Sequence, residues 1–320
     1  MNFILPFLIP KSEHKISFND KLLYVGSCFA EEIGSLMHSH RMNVKLNPYG
    51  ILFNSLSISR TIKDIINQRI YEAQDLIYDG SVWHSLNHHG RFSHPDKEQC
   101  LENINCEIRE ASSFLNNANW LVITLGSSWA YQNVNNNEVV ANCHKLPAKL
   151  FQKVLLSSAM QQESLQETIT ELKSLRPSLN IIFSVSPVRY IRDGLVENNL
   201  SKAQLVTTVN HLIAKNSNTY YFPAYELVND VLRDYRFFKE DMVHPNEQAI
   251  QYVWSQFLEA YMDNDNLDFM NEVSSFLQFQ NHRPLHPHDQ EKHHNETLKR
   301  EALITEKINQ WKLQNKPSKS

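Results

Sequence analysis

Short apolar runs of strand length alternate along this chain with longer segments whose apolar residues recur at helical period. The alternation points to a parallel sheet covered by helices, because parallel neighbours need a long crossover and a helix usually supplies it. The pattern predicts strands at Leu22–Val25, Val44–Leu46, Trp120–Leu125 (WLVITL), Asn180–Val185 (NIIFSV) and Thr219–Phe222. Between them, Phe29, Ile33, Leu36 and Met37 share a helical face just after Gly26-Ser27. Leu165, Ile169 and Leu172 share another, on a helix that must end before Pro177. Leu205, Val209 and Leu212 repeat the pattern. The strongest stripe, Ile250, Val253, Trp254, Phe257, Leu258 and Tyr261, starts after Pro245. Two hairpin-like excursions, turning at Asp79-Gly80 and through Asn135-Asn136-Asn137, read as insertions at one end of the sheet.

A chain of 320 residues, 42% of them hydrophobic, can bury a large core, and one α/β domain with insertions can use most of it. Composition changes near residue 281, where a polar stretch from His282 to His294 precedes a charged helical tail bearing Thr297, Ile304, Ile308 and Trp311. The expected division is an α/β domain over 1–265 and a helical extension with a polar, His-rich linker over 266–320. A net charge of -4 leaves no electrostatic footprint for nucleic acid or anionic lipid. No window approaches the ~18 continuous apolar residues that span a bilayer. The opening MNFILPFLIP lacks a basic start and is broken by Pro6 and Pro10, unlike a signal peptide. The four cysteines, Cys28, Cys100, Cys106 and Cys143, form no CxxC pair, so the chain reads as cytoplasmic with reduced thiols and no membrane partner. Nothing in the sequence speaks to an oligomeric state.

Ser27 is the informative residue. It lies where the first strand stops and a helix begins, with Gly26 before it to let the chain turn sharply. In open α/β sheets ligands gather at the carboxyl ends of strands, and a helix N-terminus there suits a developing oxyanion. Two readings stand: a plain N-cap, which serine does well, or a nucleophile. A nucleophile needs a base, and Asp241-Met242-Val243-His244-Pro245 offers one on a loop before the last strong helix. Three residues apart, the carboxylate can orient the imidazole and stabilise its charged form. The bland alternative is a capping Asp241 and a partly buried loop His244.

Gly26-Ser27-Cys28-Phe29-Ala30 spells the signature of the GSCFA family, a bacterial branch resembling the SGNH (GDSL-type) hydrolases. Asn47-Pro48-Tyr49-Gly50 with Asn54, Ile123-Thr124-Leu125-Gly126 and Asn142-Cys143-His144-Lys145 follow in family order. So do Val185-Ser186-Pro187-Val188-Arg189 with Arg192-Asp193-Gly194, and then the Asp241–Pro245 block. The resemblance covers roughly residues 1–265. It implies a three-layer α/β/α flavodoxin-like sheet, with Ser27 as nucleophile, His244 as general base and Asp241 as its partner. It further implies an oxyanion hole from the N–H groups of Ser27 and Gly50. The family block that ordinarily reads Gly-x-Asn is here Gly126-Ser127-Ser128, so the third donor is Ser128 through its hydroxyl, or Asn54 from nearby.

Cys28 reads mainly as a buried small hydrophobe, a reactive thiol beside the helix start being the alternative. His84, His88, His89 and Arg91 follow the first hairpin and line the pocket mouth or an exposed loop; His84 and His88 are taken as substrate-binding. Arg189 and Arg192, at the end of the Asn180–Val185 strand, hold a carboxylate or phosphate of the substrate or pair with Asp193 and Glu197. Cys143 and His144 are adjacent, and no second ligand pair of zinc spacing exists, so no metal is expected. The combined expectation is an SGNH-type serine esterase. It removes a small acyl group such as acetyl from a hydroxylated small molecule or glycan, without cofactor. The alternatives are an acyltransferase with the same residues, or a non-catalytic carbohydrate- or partner-binding protein on the same scaffold.

Overall fold

The computed structural model, which describes residues 6–282, 284 and 286–314, brings the five expected strands together in one parallel sheet. In chain order the elements begin with β1 (Lys21–Gly26), α1 (Cys28–Ser39), β2 (Asn43–Leu46) and α2 (Ser55–Ile66). The first excursion, β3 (Ile77–Tyr78) and β4 (Trp83–His84), leads into α3 (Lys97–Leu115) and β5 (Trp120–Leu125). The second comprises β6 (Trp129–Asn133), β7 (Val139–Val140) and β8 (Phe151–Leu155). There follow α4 (Ser158–Leu175), β9 (Asn180–Val185), α5 (Leu195–Lys215), β10 (Thr219–Phe222) and a single turn α6 (Ala224–Glu226). The chain closes with α7 (Glu247–Tyr261), α8 (Asn264–Asn281) and α9 (Pro287–Gln314).

The sheet order β2-β1-β5-β9-β10 is the flavodoxin-like 2-1-3-4-5 arrangement, with every pairing parallel. Period-two alternation sends the side chains to two cores. Leu22 and Tyr24 of β1, Trp120 and Val122 of β5 and Ile182 of β9 join α1 and α7 on one face. Leu23 and Val25, Leu121 and Ile123, and Ile181 and Phe183 join α2, α3, α4 and α5 on the other. That is the three-layer α/β/α fold expected, and strands buried on both faces explain their unbroken apolar runs.

The C-terminal tail shares this core. Met270, Val273 and Phe276 of α8 and Ile304 of α9 are buried with α1 and α7, and Ile308 and Trp311 pack beside them. The stretch expected as a solvated linker is instead largely helical from Pro287 onward, and His293 stacks on Phe279 at 4.6 Å. Its polar composition reflects a helix with one narrow buried stripe. No helix among the described residues is long and apolar enough to cross a membrane.

Two backbone crossings shape the carboxyl end of the sheet. Gly26 has φ +144, and a Cβ there would lie 2.2 Å from the Thr124 carbonyl oxygen on β5. Gly50 has φ +79, with His89 filling the space a Cβ would need at 2.2 Å. These glycines let β1 turn into α1 against β5, and the loop after β2 press against the first insertion.

Candidate active site

Ser27 occupies the N-cap position of α1 with extended backbone (φ -71, ψ 173), yet its side chain makes no cap hydrogen bond. Its Oγ is buried and has no hydrogen-bond partner within the protein. A buried hydroxyl left unpaired costs about 1–3 kcal/mol, so a serine that only capped the helix would have turned toward the amides it could satisfy. Instead Ser27 lines a cavity of about 730 Å³ at the carboxyl ends of the strands. The switch between β1 and β5, where strand order reverses, lies beneath it.

The walls of this cavity come from the insertions and the strand-end loops. Gly126 and Ser127 after β5, and Ser186, Val188 and Arg189 after β9, form one side. The second insertion supplies Trp129, Tyr131, Asn142, Cys143, Lys145 and Lys153. His89 and Asn54 stand on the side of the first insertion and α2.

Asp241 and His244 form the expected pair. His244 Nδ1 lies 2.6 Å from Asp241 Oδ2, and the other carboxylate oxygen accepts from the Val243 and His244 amides at 2.9 and 3.0 Å. Those donors, the His244 amide foremost, pull the Asp241 carboxyl down to about 2, so it is anionic through the neutral range. Both side chains are nearly half exposed, and neither lines the cavity. Since Ser27 Oγ has no partner, the serine–histidine hydrogen bond is open in this structure. The His244 loop instead touches the loop after β9 through the backbone, where the Arg189 N–H donates to the Val243 carbonyl at 3.2 Å.

The four oxyanion candidates are committed elsewhere. The Ser27 N–H donates to Thr124 O at 3.1 Å, and the Gly50 N–H to Asn47 O at 2.7 Å. The Ser128 hydroxyl is buried, donates to Ser201 O at 2.9 Å and accepts from Gln161, so it does not reach the cavity. Asn54 does line the cavity, but its Oδ1 caps α2 by accepting from the Ser57 amide at 2.8 Å and its Nδ2 reaches toward Val140 O at 3.4 Å. The amides free by position are those of the first turn of α1, which lack intrahelical acceptors. Those of Phe29 and Cys28 point at the Cys28 sulfur, partly offsetting the burial that pushes this thiol up. Cys143 also lines the cavity, and burial pushes its thiol up to about 11. Neither sulfur is poised as a thiolate.

Of the histidines after the first hairpin, only His89 borders the cavity. His84 instead braces the hairpin, with Nε2 2.7 Å from Asp79 and Nδ1 2.7 Å from Ser93 Oγ. His88 is fully buried, stacked on Tyr49 at 3.9 Å, and burial drives its pKa well down so that it stays neutral. Neither His84 nor His88, both expected to bind substrate, lines the cavity. Arg189 and Arg192 do border it, and Asp193 pairs with Lys153 rather than with either arginine.

Sequence reasoning missed Lys202. Its Nζ is buried and donates to Gly126 O and Ser186 O, each at 2.7 Å, tying together the turns after β5 and β9. Burial pulls its pKa down to about 7, with the Cys28 sulfur opposing the shift. The signal was present: Lys202 falls on the same face of α5 as Leu205, Val209 and Leu212, where a lysine is out of place.

Sheet order, strand-end cavity and serine turn together define a doubly wound α/β protein with a cavity at the topological switch. Within that class the chain belongs to the GSCFA family, whose pattern matches residues 21–257. No curated protein is significantly similar to it in sequence. Among solved structures it is similar to a family 3 carbohydrate esterase of Clostridium thermocellum, at 9% identity and TM-score 0.36 over 80% of this chain and 98% of that one. A family 3 carbohydrate esterase from Talaromyces cellulolyticus gives 8% identity and TM-score 0.38, over 80% and 99%. An acetyl xylan esterase from Butyrivibrio proteoclasticus gives 9% and 0.37, over 79% and 66%. Similarities this distant leave the activity of this chain to be judged on its own residues.

Proposed function

We propose that this chain is a serine ester hydrolase of the SGNH type, acting on a small acyl ester of a hydroxylated, carbohydrate-like molecule. The observation that carries the reading is the Ser27 hydroxyl, buried at a helix start on the wall of a cavity and paired with no other group of the protein. In the reaction, Ser27 Oγ attacks the acyl carbonyl carbon while His244 Nε2 takes the hydroxyl proton. Asp241 holds Nδ1 and stabilises the imidazolium. The proton then passes to the departing alcohol, and water, activated by the same imidazole, releases the acid from the acyl-enzyme. The first-turn amides of α1, once released from the Cys28 sulfur, and the second Nδ2 hydrogen of Asn54, beyond the one directed at Val140 O, would be the donors for a developing oxyanion. This chemistry requires the exposed Asp241–His244 loop to bring its imidazole onto Ser27.

A fluorophosphonate probe tests the reading, since it reacts only with an activated serine. Stoichiometric labelling at Ser27, abolished in Ser27→Ala and reduced in His244→Ala, is the expected result. No label on folded wild-type protein would sink it. The open serine–histidine link favours a second reading, a non-catalytic binding protein on this scaffold, and that outcome is the one a label-free result would support. Transfer to a sugar hydroxyl in place of water uses the same residues, and product analysis with and without an acceptor separates the two.

A further inference from the structure

The cavity is unusual in its charge. Lys145, Lys153, Arg189 and Arg192 all line it, together with His89, and no Asp or Glu does so among the described residues. Lys153 is neutralised by Asp193 and lies over the Trp129 and Tyr190 rings at 4.8 and 5.1 Å. The Arg189 guanidinium lies over Phe238 and Tyr235, at 4.2 and 5.0 Å, and neither it, Arg192 nor Lys145 forms an ion pair with a described residue. Three cations without an ion partner among the described residues thus border one concave space in a chain whose net charge is -4, Arg189 with its guanidinium seated on two rings just outside the lining. Elsewhere some basic side chains are paired, as Lys45, Lys63, Arg69 and Arg109 are, and others are solvated. Solvated lysines and arginines need no partner, and Lys145 and Arg192 are exposed, but charges of one sign gathered around a concavity focus a field that draws anions to it. Such an arrangement is favourable when an anion completes it.

The rings add shape. Phe53, Trp129, Tyr131, Phe151 and Tyr190 present aromatic surface to the same space, which suits a flat or cyclic body. Arg189 and Arg192, three residues apart on the loop after β9, offer planar forks that match carboxylate or phosphate oxygens. We infer that the ligand of this cavity is anionic: a cyclic, carbohydrate-like molecule bearing a carboxylate or phosphate, held by Arg189, Arg192 and Lys145 while its acyl ester faces Ser27. The inference deepens the ester-hydrolase reading and rests on it for the acyl group, but the charge selection stands on the cationic wall alone.

Binding measured by calorimetry on the full chain separates the two. The probes are matched pairs, galacturonate against galactose and glucose 6-phosphate against glucose, at low salt and at 0.5 M salt. The expected result is at least tenfold tighter binding of one anionic member over its neutral partner at low salt, narrowing as salt screens the contact. The pair that discriminates identifies the anion as carboxylate or phosphate. In an Arg189→Gln/Arg192→Gln variant the preference should fall to near unity, and Lys145→Gln should reduce it severalfold. Lys145 is exposed, so that variant keeps the site testable if the double variant does not fold. Equal binding of anionic and neutral partners by the wild type, or a preference that survives these substitutions, overturns the inference. Charge-selective binding without any serine labelling would leave the inference standing and remove the hydrolase reading.

Discussion

Lys202 donates from Nζ to the Gly126 carbonyl oxygen at 2.7 Å, joining a helix of one layer to the turn that floors the cavity. The same nitrogen reaches Ser186 O, so one buried amine holds two strand ends together. Replacing it with methionine leaves two buried carbonyls short of a donor, each worth about 1–3 kcal/mol when unsatisfied. The lost desolvation cost offsets part of this. Lys202→Met is therefore expected to lower the urea midpoint and to loosen both turns, seen as faster amide exchange after β5 and β9.

The same lysine carries a pH signature. Its folded-state pKa, about 7, lies below the unfolded value of 10.5, so between them the unfolded chain binds the extra proton. Stability from this group is complete above the unfolded value, rises with pH across that window and is lost as pH falls to about 7. The slope is at most about 1.4 kcal/mol per pH unit. Unfolding midpoints measured from pH 7 to 10 should climb in the wild type relative to Lys202→Met; parallel curves would show that the lysine stays charged when buried.

Gly26→Ala is expected to destabilise by at least about 2 kcal/mol, since φ +144 and a 2.2 Å approach to Thr124 O both exclude a Cβ. Equilibrium denaturation checks it, and a variant as stable as wild type would mean the turn can re-form without that crossing.

Ser27→Ala should leave stability unchanged or raise it by about 1 kcal/mol, because it deletes a buried hydroxyl that has no partner. Together with loss of serine labelling, that pairing marks a residue kept for chemistry. A drop beyond about 1 kcal/mol would make Ser27 a structural residue.

Asp241→Ala removes the acceptor for His244 Nδ1 and for two loop amides. The labelling rate at Ser27 is expected to fall on the order of a hundredfold or more, as when the orienting carboxylate of a triad is lost. An unchanged rate would place the imidazole outside the reaction.

The three inner strands β1, β5 and β9 were legible because they are buried on both faces and so read as nearly uninterrupted apolar runs, while the edge strands β2 and β10 were read from short runs between turns; three of the five match their expected bounds to the residue. The excursion strand β8 was not, since FQKVL takes its strand form from pairing with β6, a contact no local pattern announces. Helices α2 and α3 were also missed: their buried faces mix Ser, Thr and Cys with isoleucine, which blurs the apolar stripe. The serine turn and the Asp–His loop were legible from residue type and place. Which of His84, His88 and His89 faces the cavity was not, because it depends on how the first insertion folds back over Gly50.

The hydrogen bond from the Arg189 amide to the Val243 carbonyl joins the wall that would grip an anion to the loop that carries the imidazole. Neither strand of chain can travel far alone while that bond lasts. A ligand that displaced Arg189 would therefore also be felt at the loop bearing His244.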